Sequence, residues 1–404
     1  MSSRSKCLTA GLLAGPALTL LAVPFASAVE PNPIQAGAFD LIPTVSVDSS
    51  QDDNIFRTNG NETDSNITVI SPRLQAIAQS NANEFSLDLQ AFEGIYSETD
   101  EDDYTDWRVA AAAHIELNSR NILEFDVSHD DTHEIRGLGF SEGGFLPTVP
   151  DEYELDNWNA SYQFGSNDSF GRLRFNIGNN DKQYSNNRAT TYFRDVETDI
   201  SGAEFFINLS PRTAILFEYR QREVEYKNDV PVVVGDGDTL DSEERYGFVG
   251  IEWEATASTT GSIRIGTGEK DFEDPDRVDL DDPSYELGLT WSPLTYSTFT
   301  FNASRLFDET TGQGDSIDRT SYFGAWNHAW TDRLSSVVSA SLSSEEYAGS
   351  LRDDDLTYIS VGMTYSVARW FDVRLEVALD ERESGVASFN YERTVFAIGF
   401  DASL

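Results

Sequence analysis

Residues 371–379 read Phe-Asp-Val-Arg-Leu-Glu-Val-Ala-Leu, and the fold follows from this stretch. Every second residue is apolar, and the residues between them are charged or small. Successive side chains of a β-strand point to opposite faces of a sheet, so the stretch predicts a strand with one apolar and one polar face. The same alternation occurs in 170–177 and 359–365, and 396–404 continues it to the last residue.

The polar side of this alternation carries arginine, which decides the environment of the apolar side. Arginine at the middle of a bilayer costs roughly 2–4 kcal/mol, so in a membrane the charged face must line a lumen and the apolar face must contact lipid. A soluble barrel would have the reverse arrangement. With this many strands it would enclose more space than its side chains can fill. The pattern therefore predicts a transmembrane antiparallel up-and-down β-barrel, an all-β fold.

The alternation recurs along the whole chain and predicts about eighteen strands, with sixteen as the alternative count. Residues 130–155 could also hide a hairpin. The predicted strands are 37–49, 65–79, 84–96, 105–117, 121–129, 156–164, 169–182, 198–209, 213–225, 244–254, 259–269, 283–292, 297–306, 319–330, 334–345, 355–366, 370–381 and 390–404.

Short and long connections alternate between these strands. The short ones carry turn residues, such as Gly-Ser-Asn-Asp at 165–168, and the long ones are rich in aspartate and glutamate. Bacterial outer-membrane barrels sort their connections in this way, with short periplasmic turns and long extracellular loops. The apolar side chains near the short turns include several aromatic residues, which favours an aromatic girdle at one membrane interface. Those aromatic residues are Trp291, Tyr296, Trp326, Trp330, Trp370 and Phe371.

The first 28 residues have the pattern of a secretory signal peptide. Arg4 and Lys6 precede an apolar run from Leu8 to Val23, and Ala26-Ser27-Ala28 fits a cleavage site. A signal anchor is the rival interpretation, but the apolar run is shorter than the roughly 20 residues that a spanning helix needs. We therefore predict cleavage after residue 28 and a single barrel domain over 29–404.

Charge and cysteine content exclude several classes of function. The net charge is −42, which argues against nucleic-acid binding because such binding depends on cations that meet phosphates. The one cysteine, Cys7, lies in the predicted signal peptide, so the mature chain has neither disulfides nor thiolate metal sites. Outer-membrane lipid and lipopolysaccharide are the expected surroundings, and the barrel-assembly machinery is an expected partner through the alternating last strand.

We find no catalytic signature, and we expect neither an enzyme nor a bound cofactor. His129 and His133 are four residues apart and could hold a metal ion, but exposed histidines at the start of a long loop are the simpler interpretation. The acidic loops lack the spacing of a dedicated calcium loop. We expect them to be solvated and to interact only diffusely with divalent cations.

Strand parity places fourteen charged side chains in the predicted lumen. The arginines could guide an anionic solute, since the guanidinium fork holds carboxylates and sulfates. Alternatively, they pair with carboxylates across strands and brace the wall. The predicted lumen-lining residues are Arg73, Arg108, Arg172, Arg174, Arg220, Arg222, Arg264, Arg374, Arg393, Glu116, Glu124, Glu218, Glu286 and Glu376.

The start of the mature chain resembles the putative β-barrel porin 2 family. The resemblance lies in the strand 39–48, in Asp-Asn-Ile-Phe at 53–56, and in the strand 65–74 with its proline at the middle. The turns at 208–213 and 330–334 are similar as well. The resemblance implies an outer-membrane barrel that forms or assists the exit of an exopolysaccharide or capsular polysaccharide, together with periplasmic export components.

Two other functions are compatible with the sequence. The first is a general diffusion porin for small solutes, in which residues 130–155 form a constriction or else a flexible surface loop. The second is a surface adhesin or structural barrel whose acidic loops meet partners. An eighteen-stranded wall is wide enough both for export of a polysaccharide and for diffusion of small solutes.

Overall fold

The computed structural model describes residues 32–228, 239–256 and 258–403. The predicted signal peptide, residues 1–28, lies outside the described residues, as do residues 229–238 of one long loop. Among the described residues, no helix is long and apolar enough to cross a membrane.

Nineteen β-strands run through the described chain. They are β1 (Ile34–Ala36), β2 (Phe39–Asp52), β3 (Ser65–Ser80), β4 (Asn83–Tyr96), β5 (Tyr104–Asn118), β6 (Asn121–Glu134), β7 (Asp151–Phe164), β8 (Gly171–Tyr184), β9 (Val196–Ser210), β10 (Thr213–Tyr226), β11 (Ser242–Thr256), β12 (Thr259–Phe272), β13 (Leu280–Leu294), β14 (Ser297–Glu309), β15 (Ser316–Thr331), β16 (Leu334–Tyr347), β17 (Asp353–Ala368), β18 (Phe371–Ser384) and β19 (Tyr391–Ser403). One short helix, α1 (Arg188–Thr191), lies in a long loop.

Strands β2 to β19 form a closed antiparallel barrel. Each strand pairs with its neighbours in the chain, and β19 pairs with β2 from Val395 opposite Asp52 to Ser403 opposite Thr44. The predicted count of eighteen is therefore confirmed. The sequence pattern missed β1, a three-residue strand that folds back on β2 in a hairpin.

The two faces of the wall are distinguished by contacts between strands that are not neighbours. Arg172 on β8 pairs with Glu252 on β11, and Arg220 on β10 pairs with Glu286 on β13. Such contacts across three strands form only on the concave side, so these side chains lie in the lumen. The alternate residues are large exposed apolar side chains, for example Phe175, Ile177 and Leu375. A belt of this kind suits contact with lipid.

Every short turn lies at one end of the barrel and every long loop at the other, and we call these the short-turn end and the long-loop end. Around the long-loop end, the strands extend further than the sequence pattern predicted. β6 continues to Glu134 and β7 begins at Asp151, so residues 130–155 contain no additional hairpin strands. The loop between these strands contains instead a 3₁₀ segment at Gly139–Gly144, which non-helical backbone at Glu142 and Gly143 interrupts.

Aspartates of the long loops accept hydrogen bonds from strand ends. In four loops, the N–H of an aromatic residue at the end of the outgoing strand donates to an aspartate before the returning strand. The pairs are Tyr96 with Asp103, Tyr184 with Asp195, Tyr226 with Asp241, and Phe272 with Asp279, at 2.6–2.9 Å. Part of the loop acidity therefore satisfies backbone donors.

The aromatic residues near the short turns form connected clusters. Trp291 contacts Phe299 at 5.2 Å between ring centroids, and Trp326 lies 6.2 Å from Trp330. Trp370 contacts Phe371 at 5.6 Å. These clusters lie where the sequence predicts an aromatic girdle.

Candidate functional site: the lumen wall and the cap loop

The lumen wall of β8 to β14 carries a network of paired charges. Arg264 lies 2.8 Å from Glu218, and Arg220 lies 2.6 Å from the same carboxylate. Glu286 accepts from Arg220 at 3.1 Å, and Arg174 lies 3.5 Å from Glu204. Positive and negative groups alternate, so this part of the wall combines high charge density with local neutrality.

All nine arginines predicted to line the lumen lie within ion-pair distance of a carboxylate. The sequence analysis gave two roles for these arginines, guiding an anionic solute or bracing the wall. Pairing with carboxylates across strands corresponds to the second role. Besides those already named, the pairs are Arg73 with Asp88, Arg108 with Asp130, Arg222 with Glu244, Arg374 with Asp48 and Asp401, and Arg393 with Asp52 and Asp380.

The arginines differ strongly in their access to solvent. The side chains of Arg172, Arg220 and Arg222 are only 8–15% exposed, whereas those of Arg73 and Arg108 are 44% and 46% exposed. The former group is held within the wall. The latter two can meet a solute.

The predicted carboxylates occupy separate parts of the wall. Glu218 and Glu286 belong to the network above. Glu124 accepts from His114 at 3.1 Å, and Glu116 lies 3.6 Å from the same imidazole. Glu376 lies on β18, directly opposite Gly362. The structure thus does not bring the fourteen predicted residues together into one site.

The two closely spaced histidines are not exposed loop residues, so that interpretation was wrong. Both lie on β6, because the strand extends five residues beyond the predicted end. The side chain of His133 is 8% exposed and lies 3.1 Å from Asp106, while His129 lies 2.7 Å from Asp156. Across the residues that the structure describes, no group of three or more potential metal ligands occurs.

The loop between β6 and β7, residues 135–150, packs across the long-loop end, and we call it the cap loop. Its Glu142 contacts Arg352 at 2.7 Å and Arg382 at 2.9 Å. Arg352 directly precedes β17 and Arg382 lies on β18, and neither strand is a neighbour of β6 or β7. All three side chains are 6% exposed or less. The cap loop is therefore fastened to a distant part of the wall.

Further contacts hold the cap loop along its length. Arg136 donates to Asp102 at 2.7 Å and lies over the ring of Phe56. The guanidinium of Arg194 stacks on Phe140, 4.5 Å from its ring centroid. The loop is thus packed against several other long loops, as a constriction would require.

Two glycines allow the cap loop to adopt this conformation close to its neighbours. Gly137 has φ +90, and a Cβ there would overlap the backbone carbonyl of Phe56. Gly143 has φ +69, and a Cβ there would lie 2.9 Å from the ring of Phe389. Both positions need glycine, because the backbone is left-handed and the neighbouring loop is close.

Electrostatics keep Arg352 in its charged form. Burial alone lowers the pKa of Arg352, but its hydrogen bond to Asp354 and the charge of Glu142 more than offset that effect, so the pKa lies above its usual value. The pKa of Arg57, in the loop between β2 and β3, lies below its usual value. Burial and the nearby charge of Arg393 lower its pKa, with Asp380 opposing them.

Several charged residues of the site escaped the sequence analysis. They include Lys270, which is fully buried between Glu244 at 3.0 Å and Glu309 at 2.5 Å, and the Glu142 cluster of the cap loop. Lys270 and Glu309 lie beyond the predicted ends of their strands. The alternation of faces along a strand could have assigned Lys270 and Glu309 to a face only if the true strand ends had been known.

A family model for putative beta-barrel porin 2 matches residues 27–403. The chain belongs to this porin family. This is the family that the start of the mature chain resembles, so that resemblance is confirmed. Family and fold together describe a porin-like β-barrel of the outer-membrane type. No functionally curated protein matches its sequence significantly.

Solved structures with a similar barrel share little sequence with this porin. OccK3 of Pseudomonas aeruginosa has 12% identity and a TM-score of 0.46, with 90% of this chain and 96% of that chain covered. A BenF-like porin of Pseudomonas fluorescens has 9% identity and a TM-score of 0.49, with 91% and 99% covered. The FrpB iron transporter of Neisseria meningitidis has 10% identity and a TM-score of 0.45, with 84% of this chain covered. This chain spans 62% of its length. Similarities of this size do not bear on what the porin transports.

Proposed function

We propose that this porin forms a water-filled channel of the outer membrane that serves as, or assists, the exit of an exopolysaccharide. The observation that supports passage of a polar solute is the division of each strand between an apolar outward face and a polar lumen face. The lumen face carries many hydrogen-bond donors and acceptors, which hydroxyl-rich solutes require. The family resemblance supports a polysaccharide as the cargo.

A second candidate is diffusion of small solutes, and the cap loop favours it. Glu142 fastens this loop to the wall near β17 and β18, so the cap loop would act as a constriction at the long-loop end. A polymer exit needs the cap loop to move aside, whereas small solutes can pass beside it.

The proposed setting follows from the same geometry. The apolar belt would lie in outer-membrane lipid, and the acidic long loops would face lipopolysaccharide through diffusely bound divalent cations. Periplasmic export components and the barrel-assembly machinery would meet the short-turn end. We propose no resident cofactor and no enzymatic step.

Conductance of the purified porin in planar bilayers tests these functions. Ionic current that an acidic polysaccharide blocks from the short-turn side supports the polymer exit. Current that small sugars reduce and the polymer leaves unchanged supports general diffusion. A folded and inserted barrel without any current would overturn both and leave a structural or adhesive role.

A further inference from the structure

Three lumen-facing side chains on β3, β4 and β5 form one row across the wall. Arg73 lies directly opposite Gln90, and Gln90 lies directly opposite Arg108. Neighbouring strands are separated by about 4.8 Å, so the backbones of the two arginines are about 10 Å apart with the amide between them. We call these residues the arginine row.

The arginine row keeps free donors that face the lumen. Asp88 accepts from Nε and Nη2 of Arg73, and Asp130 accepts from Nη1 of Arg108. Nη1 of Arg73, and Nε and Nη2 of Arg108, have no acceptor among the described residues. With side chains 44% and 46% exposed, these are the most exposed of the nine predicted lumen arginines.

The wall beside the arginine row is partly apolar, with Asp106 opposite Phe92 and Asp88 opposite Ala110. Ala110 and Ala112 follow Arg108 on the same face of β5, and Ser128 lies opposite Ala110. Phe92 follows Gln90 on the same face of β4, on the other side of the row. Small side chains leave room for a ring, and an aromatic side chain offers it an apolar surface.

From this arrangement we infer that the arginine row is a contact site for a carboxylated sugar unit in transit through the lumen. The free edge of each guanidinium accommodates a carboxylate, and the amide of Gln90 can serve sugar hydroxyls on either side. The inference deepens the proposed function and rests on it, because it names an acidic saccharide as the class of cargo.

The paired aspartates set the strength of such a contact. Asp88 and Asp130 already neutralise part of each guanidinium charge, so an incoming carboxylate is held weakly. Weak holding is what a transport path needs, because a solute must leave a site as readily as it enters. The side chains of the other lumen arginines are less exposed, at 8–33%.

The test compares block of the channel by two trisaccharides, the acidic trigalacturonate and the neutral maltotriose. In the double variant Arg73→Gln/Arg108→Gln we expect the half-blocking concentration of trigalacturonate to rise by about tenfold or more, the loss expected from two charge-assisted hydrogen bonds. Block by maltotriose should stay unchanged.

The matched control is Arg245→Gln/Arg305→Gln. Both residues pair with aspartates, at Asp271 and Asp318, and both lie on the outward-facing sets of β11 and β14. The control has the same charge change and should keep wild-type block. Equal block by trigalacturonate in wild type and the arginine-row variant, or an equal loss in the control, would overturn the inference.

Equilibrium dialysis of trigalacturonate against the folded porin in detergent separates this inference from the proposed function. If the wild type conducts no current, the channel function fails, but dialysis still decides whether the arginine row binds the acidic sugar. Binding that survives Arg73→Gln/Arg108→Gln, or no binding to the wild type, contradicts the inference.

Discussion

The carboxylate of Glu142 lies between two guanidinium groups, 2.7 Å from that of Arg352 and 2.9 Å from that of Arg382. Replacing Glu142 by glutamine preserves its size and removes the charge that both arginines meet. Breaking a buried ion pair by removing one partner typically costs about 3–5 kcal/mol. We therefore expect Glu142→Gln to release the cap loop and to raise the mean single-channel conductance.

Glu346→Gln is the control for this experiment, since Glu346 is an exposed residue at the end of β16. It removes the same charge near the long-loop end without touching the cap loop. Unchanged conductance in Glu142→Gln, or an equal increase in Glu346→Gln, would show that the cap loop does not restrict the channel.

Two glycines of the cap loop provide a steric test of the same idea. Gly137 and Gly144 both have positive φ, +90 and +87, but only a Cβ at Gly137 meets neighbouring backbone. Alanine at either position destabilises the left-handed backbone conformation by about 1 kcal/mol. Only Gly137→Ala should also displace the loop from Phe56 and raise the conductance. Similar recordings for Gly137→Ala and Gly144→Ala would argue against close packing at Phe56.

The ion pairs of the wall predict a loss of stability when one partner is removed. The double variant Arg220→Gln/Arg264→Gln leaves Glu218 and Glu286 without the two arginines that they share. We expect the free energy of unfolding in lipid vesicles to fall by about 3–5 kcal/mol, as for other buried pairs. Denaturant titration followed by tryptophan fluorescence measures this. A change below 1 kcal/mol, within the range of surface pairs, would mean that water screens the network.

Adjacent residues in the middle of β3 test which face meets lipid. Leu74 is 37% exposed on the outward side, and Gln75 faces the lumen. Leu74→Arg should reduce the stability of the inserted barrel by roughly 2–4 kcal/mol, the cost of arginine near the bilayer midplane. Gln75→Arg should insert and fold with little change. Equal stability of the two variants would contradict the assignment of the faces.

The barrel was predictable because its evidence is local and repeated. Each strand carries its own period-two pattern, as in 371–379, and eighteen such patterns imply a closed wall whatever the details of each one. Strand ends at the long-loop side were less predictable. There both faces of the strand carry polar residues, as in β6 from Asp130 to Glu134. A run of polar residues without apolar alternation is typical of a loop, so the sequence predicts the strand end too early.

The organisation of the site was predictable only in part. Parity assigns Arg73 and Arg220 to the same face, but it does not show that Arg220 is enclosed by Glu218 and Glu286 while Arg73 is exposed. That difference depends on contacts between strands that are far apart in sequence. The partners of Glu142 are distant for the same reason, since Arg352 is 210 residues further along the chain.

The fastening of the cap loop has a consequence for how this porin can change during evolution. Surface loops of barrels ordinarily diverge independently of each other, because each one meets only solvent. Here a substitution at Glu142 alters the surroundings of Arg352 and Arg382, so a change at one position favours a compensating change at the others. Among homologues that keep a glycine at position 137, these three positions should therefore covary, while the exposed Leu351 beside them drifts freely.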